Sequence, residues 1–173
     1  MATPSVAGGG LRAAIAAHLD SRQVSRVVYG SIVGLALVAA LEAHPPGPAV
    51  VAGLLASTAL AVALAELYSE LLGTRVRLRR AVDAPRRRRI FADVAAVAGG
   101  AAFPAVYFVL AAAGVMEAGT AFALAKWSGL GLIAAYGFVA ARLGGSDVRG
   151  SMLQALAVGA IGALVIALKA LVH

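Results

Sequence analysis

Residues 49–72 read AVVAGLLASTALAVALAELYSELL, and this stretch decides the fold. Its only charged side chains are Glu66 and Glu70, both near its end. As an α-helix it would extend about 36 Å, more than the roughly 30 Å of a bilayer's hydrocarbon core. A transmembrane barrel strand would alternate apolar and polar residues, whereas this stretch is continuously apolar. The pattern therefore predicts a membrane-spanning helix.

Four further stretches have the same character, and the whole chain is 61% hydrophobic and only 13% charged, more apolar than a soluble domain needs. We predict an all-α polytopic membrane protein of five transmembrane helices, with spans at residues 27–43, 49–72, 90–115, 120–141 and 151–171. They form one domain over residues 24–173. Residues 1–23 are predicted to be a tail and a short amphipathic helix at the membrane surface.

The basic residues predict the orientation of this domain. With five spans, the amino terminus and the connections after spans two and four share one side, which holds thirteen of the fifteen Lys and Arg residues. The positive-inside rule then places the amino terminus in the cytoplasm and the carboxyl terminus outside, in a multi-pass protein of the cell membrane. Eight of the thirteen lie in one predicted loop: Arg75, Arg77, Arg79, Arg80, Arg86, Arg87, Arg88 and Arg89.

This arginine loop also bears on partners. The net charge of +7 alone would suggest nucleic acid, but a connection between two spans is the usual place for topology-setting charge. We expect no nucleic-acid partner, and we expect the eight arginines to bind anionic lipid or an acidic partner. The chain has no cysteine and no hydrolase, kinase or nucleotide-binding motif, so we do not expect an enzyme.

Three carboxylates are predicted to lie within the membrane near its cytoplasmic face. Glu66 and Glu70 are one turn apart on span two, and Asp93 is one turn into span three at the same level. Such oxygen ligands suit hard divalent cations, so these three residues are the candidate metal site. In the alternative interpretation, Glu70 and Asp93 are interfacial and pair with neighbouring arginines.

Charged residues also occur in the outer half. Glu42 ends span one, and Lys126 lies about two turns into span four, so an ion pair between them is one prediction. The alternative is that Lys126 extends to the outer headgroups beside Trp127.

Small residues at four-residue spacing predict close helix packing. The pairs are Gly30 with Gly34, Ala96 with Gly100, and Ala155 with Gly159. We favour packing within one protomer over a dimer interface. Pro104, which follows Gly99 and Gly100, predicts a kink in span three.

Three segments resemble the vacuolar iron transporter (VIT) family. Residues 65–69, AELYS, are similar to the "GEYVS" end of that family's second helix, and residues 99–108, GGAAFPAVYF, are similar to its "G-A-L-L-P-L-L-P-F" stretch. Residues 137–173 resemble its final helical pair. The resemblance covers residues 24–173 and implies a five-helix protomer, a homodimer with a pathway between subunits, and export of iron or manganese against protons.

The chain departs from this family at several functional positions. The family's first-helix "NDGIVS" motif matches residues 28–33, VYGSIV, which contain no carboxylate. Residues 58–65 lack the family's methionines, and the arginine loop replaces its glutamate-rich cytoplasmic hairpin. Of the family's functional residues, only Glu66 carries over.

Two functional hypotheses follow. The first is a VIT-like transporter for Fe²⁺ or Mn²⁺, with Glu66 as ligand or proton carrier. The second is a non-transporting structural or accessory membrane subunit, either homodimeric or part of a larger membrane complex, whose arginine loop binds anionic lipid or an acidic partner.

Overall fold

The computed structural model describes residues 21–78 and 83–172, and every regular element in those two ranges is an α-helix. The helices are α1 (Ser21–Glu42), α2 (Pro48–Leu78), α3 (Ala84–Ala102), α4 (Ala105–Ala112), α5 (Ala118–Leu143) and α6 (Val148–Val172). The predicted tail and most of the predicted amphipathic helix lie outside the described residues.

Local sequence accounts for where these helices begin and end. The prolines after His44 cannot continue α1, and Pro48 starts α2, where its missing N–H costs nothing. Asp83 caps α3, because its Oδ1 accepts a hydrogen bond from the Arg86 backbone N–H at 3.2 Å. After α5, Gly145 adopts a φ of +85°, a left-handed conformation that favours glycine and ends the helix.

Three of the helices are long and apolar enough to cross a membrane, namely α1, α2 and α5. A fourth candidate appears if α3 and α4 are counted as one bent span, because together they meet the same criteria. The axes of α3 and α4 differ by 48° at the break around Pro104, which has no N–H to continue the helix. Span three was predicted as one kinked helix, and the structure divides it into two.

The arginine loop is a second difference from prediction. Arg75 and Arg77 lie in the last turns of α2, and Arg86–Arg89 lie in the first turns of α3. The prediction of a loop across residues 75–89 is therefore wrong for these six. The helices extend past the apolar stretch because arginine has good helix propensity and Asp83 and Pro85 form a strong helix start. Arg79 and Arg80 fall outside the described residues.

Contacts between the helices give their directions. Gly30 and Gly34 of α1 lie against Val97 and Ala101 of α3, so these two helices run the same way. Arg26, early in α1, contacts the end of α2, and Glu42, at the end of α1, contacts the first half of α5. Both α2 and α5 are therefore antiparallel to α1.

The sixth helix reverses direction again relative to α5. Gly137 lies against Ala155 and Val158, whereas Gly162 lies against Leu130. One end of the bundle therefore contains the starts of α1, α3 and α6 and the ends of α2 and α5. We call it the basic end, since it holds Arg26, Arg75, Arg86, Arg87, Arg88, Arg89, Arg142 and Arg149.

A hydrophobic core lies at the opposite end of the bundle. Phe108 of α4 and Phe122 of α5 pack edge to face, with ring centroids 4.7 Å apart. The other members of this buried cluster are Val38, Val51, Leu55, Ala121 and Ala125. Because the cluster joins α1, α2, α4 and α5, it fixes the bent α4 segment against the long helices.

The tightest helix crossing is between α1 and α3. A Cβ atom added at Gly30 would overlap the carbonyl oxygen of Val97, and one at Gly34 would lie 2.6 Å from that of Ala101. One at Gly100 would lie 2.5 Å from the carbonyl oxygen of Val27. Such close backbones favour Cα–H···O contacts. Of the predicted small-residue pairs, Gly30 and Gly34 of α1 and Gly100 of α3 thus lie at this crossing within one protomer.

Candidate functional site

The first candidate site is an arginine that binds two glutamates. Arg26 Nη1 forms an ion pair with Glu66, and Arg26 Nη2 lies 2.9 Å from Glu70 Oε1. The three side chains are 25%, 16% and 25% exposed, in that order. Glu66 and Glu70 reach the same guanidinium because residues four apart lie on one face of a helix. The two nitrogens of the guanidinium fork let one side chain contact both carboxylates.

This arrangement determines what the two glutamates can do. Each carboxylate in a partly buried position needs a compensating positive group, and Arg26 supplies it without a metal. A divalent cation at the same oxygens would have to displace a guanidinium that is tethered to α1. The cluster therefore has the chemistry of a structural ion pair between α1 and α2.

Asp93 does not join this cluster. In the two described ranges, no three His, Cys, Asp or Glu side chains are close enough to hold a metal ion together. The predicted convergence of Glu66, Glu70 and Asp93 is therefore wrong in its geometry. The prediction placed the three carboxylates at one level along the bundle, but a shared level does not fix the distance between side chains on two different helices.

Arg26 is the residue of this site that sequence reasoning missed, having been counted only as topology-setting charge. A signal was present: Arg26 immediately precedes the first predicted span, and Glu66 and Glu70 lie near the end of the second. Consecutive antiparallel helices bring those two ends together, and buried carboxylates require a cation.

The second candidate site is the ion pair at the opposite end of the bundle. Lys126 Nζ lies 2.7 Å from both carboxylate oxygens of Glu42 and so joins α1 to α5. Of the two interpretations left open above, the structure shows the pair, while the neighbouring Trp127 remains 73% exposed. With Glu42 40% exposed, the pair contributes at most about 1 kcal/mol.

The third candidate site is the basic end itself. Arg75 and the four consecutive residues Arg86–Arg89 are all exposed. Successive residues of a helix are rotated by about 100°, so four in a row surround the first turn of α3 with guanidinium groups. The positive end of the α3 dipole adds to the same potential. Arg142 and Arg149 are exposed at this end as well, although Arg142 also donates to the Ser146 carbonyl oxygen.

One buried polar group lies inside the α1–α3 crossing. The Ser31 hydroxyl is buried, and its oxygen has no hydrogen-bond partner among the described residues. Gly100 packs directly on Ser31. A lone hydroxyl has neither the charge nor the number of oxygens that would hold a divalent cation.

Comparisons with protein-family models, with curated proteins and with solved structures found no match to this chain. The resemblance to the VIT family stays a prediction, and the functional argument rests on the geometry above.

Proposed function

We propose that this chain is a multi-pass membrane protein that acts as a non-transporting, non-enzymatic structural or accessory subunit. In this proposal five spans cross the membrane, with α3 and α4 forming the third. The basic end faces the cytoplasm and engages an anionic surface.

The observation that carries this proposal is the Arg26 cluster. The carboxylates of span two, which a cation pathway would need, are both engaged by a fixed guanidinium. Seven exposed arginines of the described residues surround the same end of the bundle and create a positive potential there. Such a potential lowers the local concentration of divalent cations and raises that of anions.

The proposal predicts no metal transport. Protein reconstituted in liposomes should move neither Mn²⁺ nor Fe²⁺ faster than protein-free liposomes, with or without an imposed proton gradient. Metal influx is read with a fluorescent indicator trapped in the vesicles, and Glu66→Gln protein serves as the matched control. Influx by the wild type that disappears in Glu66→Gln would overturn the proposal and establish cation transport.

Transport of Fe²⁺ or Mn²⁺ is the second candidate, and two observations favour it. Glu66 and Glu70 are held at a single point by one guanidinium, so they would form a two-carboxylate site if Arg26 moved away. The break at Pro104 resembles the discontinuous helices found in transporters. The flux measurement on the wild type decides between the two candidates.

The five-span topology is supported by the alternating helix directions and by the gathering of arginines at one end. It predicts that residue 84 faces the cytoplasm and residue 173 the outside. Because the chain has no cysteine, Ala84→Cys and His173→Cys each give a single labelling site without background. In sealed cells an impermeant maleimide should label the variant at 173 and not the one at 84. Labelling of both from the same side would contradict the five-span count.

The homodimer or larger complex implied above stays a prediction. Of the three long apolar helices, α2 is the least covered by the rest of the chain, and Leu60, Leu64 and Tyr68 are among its exposed side chains. Its outward face is therefore the surface on which a partner helix would pack.

A further inference from the structure

The outward face of α3 has an unusual order of side chains. Arg88, Ala92, Ala95 and Gly99 are separated by four, three and four residues, so they form one stripe along the helix. All four are exposed. The opposite face is buried against the bundle, so the stripe is the part of α3 that looks outward.

The part of this stripe from Ala92 to Gly99 carries only small side chains. Ala92 and Ala95 have only methyl side chains, and a Cβ built on Gly99 would meet nothing within 4 Å. Phe91 stands beside the stripe and is 53% exposed. From Arg88 to Gly99 the stripe extends about 16 Å, a length over which an extended hydrocarbon chain can lie along the helix.

The start of the stripe, at Arg88, is strongly basic. Arg88 is the first residue of the stripe, and its neighbours Arg87 and Arg89 are rotated from it by about 100° to either side of the helix. All three are exposed at the first turns of a helix, where the dipole also favours anions. Guanidinium groups match the geometry of phosphate oxygens.

We propose that the outward face of α3 binds an anionic phospholipid. Its phosphate lies among Arg87, Arg88 and Arg89, and one acyl chain lies along Ala92, Ala95 and Gly99. The inference rests on the proposed function in one respect: the basic end must face an anionic leaflet. A lipid fits better than an acidic protein, because the charge passes directly into an apolar stripe of about the length of an acyl chain.

The headgroup part is tested on the purified full chain in detergent. Native mass spectrometry measures binding of phosphatidylglycerol and of phosphatidylcholine to the wild type, to Arg87→Gln/Arg88→Gln and to Arg142→Gln/Arg149→Gln. The last variant loses the same charge at the same end of the bundle but away from α3. We expect binding of phosphatidylglycerol to weaken about tenfold in the α3 variant and to change little in the control. Equal weakening in both variants, or no preference for phosphatidylglycerol in the wild type, overturns the proposal.

The acyl-chain part is tested by filling the stripe. Gly99→Leu places a bulky side chain on it, and Gly131→Leu is the matched control, because Gly131 is also exposed with nothing within 4 Å of a built Cβ. We expect weaker phosphatidylglycerol binding only in Gly99→Leu, with the unfolding midpoint of both variants close to that of the wild type. Unchanged phosphatidylglycerol binding in Gly99→Leu overturns the proposal that an acyl chain lies along α3. Lipid binding is measured independently of metal flux. A negative result here is therefore distinguishable from a result that contradicts the non-transporting function.

Discussion

Replacing Gly100 with alanine is expected to destabilise the protein by about 3 kcal/mol. The new Cβ would lie 2.5 Å from the Val27 carbonyl oxygen and 2.9 Å from the Ser31 backbone nitrogen. Both contacts are with backbone atoms, so relief requires α1 and α3 to separate. Separation would also loosen the Gly30 and Gly34 contacts, which form the most extensive helix pairing in the bundle. Unfolding followed by circular dichroism in detergent measures the effect.

The adjacent residue provides the control. Gly99 lies in the same helix but faces outward, and a Cβ there meets nothing within 4 Å. Gly99→Ala should therefore be neutral or should stabilise by about 0.5–1 kcal/mol, because alanine restricts the unfolded chain more than glycine does. If the free energy of unfolding falls in Gly100→Ala and rises or stays unchanged in Gly99→Ala, the loss in Gly100→Ala is due to packing. If both variants behave alike, the α1–α3 crossing is looser than described.

Replacing Arg26 with glutamine is expected to destabilise the protein by about 3 kcal/mol. The change removes the guanidinium that pairs with Glu66 and Glu70 and leaves two carboxylates in a partly buried position without that charge. Breaking a buried ion pair on one side typically costs about 3–5 kcal/mol, and the partial exposure of these groups puts the expectation at the lower limit. The free energy of unfolding in detergent is again the measurement.

A double-mutant cycle separates the ion pair from other effects of the arginine. Arg26→Gln combined with Glu66→Gln removes both the guanidinium and one of its carboxylates, so it should recover part of the loss. We expect a coupling energy of about 1–2 kcal/mol between the two positions. Strictly additive effects would mean that Arg26 stabilises the bundle through its packing alone. Glu42→Gln with Lys126→Met is the matched comparison at the half-buried pair of Glu42 and Lys126, where the coupling should stay below about 1 kcal/mol.

Several features of the fold were accessible from local sequence. The apolar length of residues 49–72 predicted a helix, and the structure has α2 at Pro48–Leu78. The prolines at 45, 46 and 48 predicted where α1 would stop, since proline cannot donate the required N–H. The small residues of α1 and α3 predicted a close contact, and the structure shows it within one protomer.

The candidate sites were less predictable. Glu66 and Glu70 were recognised because ionisable groups in apolar stretches are rare. An arginine partner was one interpretation for Glu70, but Arg26 was not identified as that partner. Asp93 was grouped with the two glutamates because it lies at the same level, although in the described residues the three do not form a group that could hold a metal ion. The arginines at 75, 77 and 86–89 were predicted to be in a loop, because charge interrupts an apolar pattern. Charge does not interrupt a helix, so α2 and α3 continue through them.

By itself the sequence determined the helical class, the apolar stretches and the gathering of arginines at one end, because these depend on composition, on periodicity and on alternating helix direction along the chain. Only the tertiary structure decided which charges meet. An ion pair requires a definite distance between atoms on different helices, and that distance depends on how each helix is rotated and how closely its neighbour approaches. Gly30, Gly34 and Gly100 set that approach for α1 and α3. The position of α1 in turn brings Arg26 to Glu66 and Glu70, so the character of the site follows from a packing contact elsewhere in the bundle.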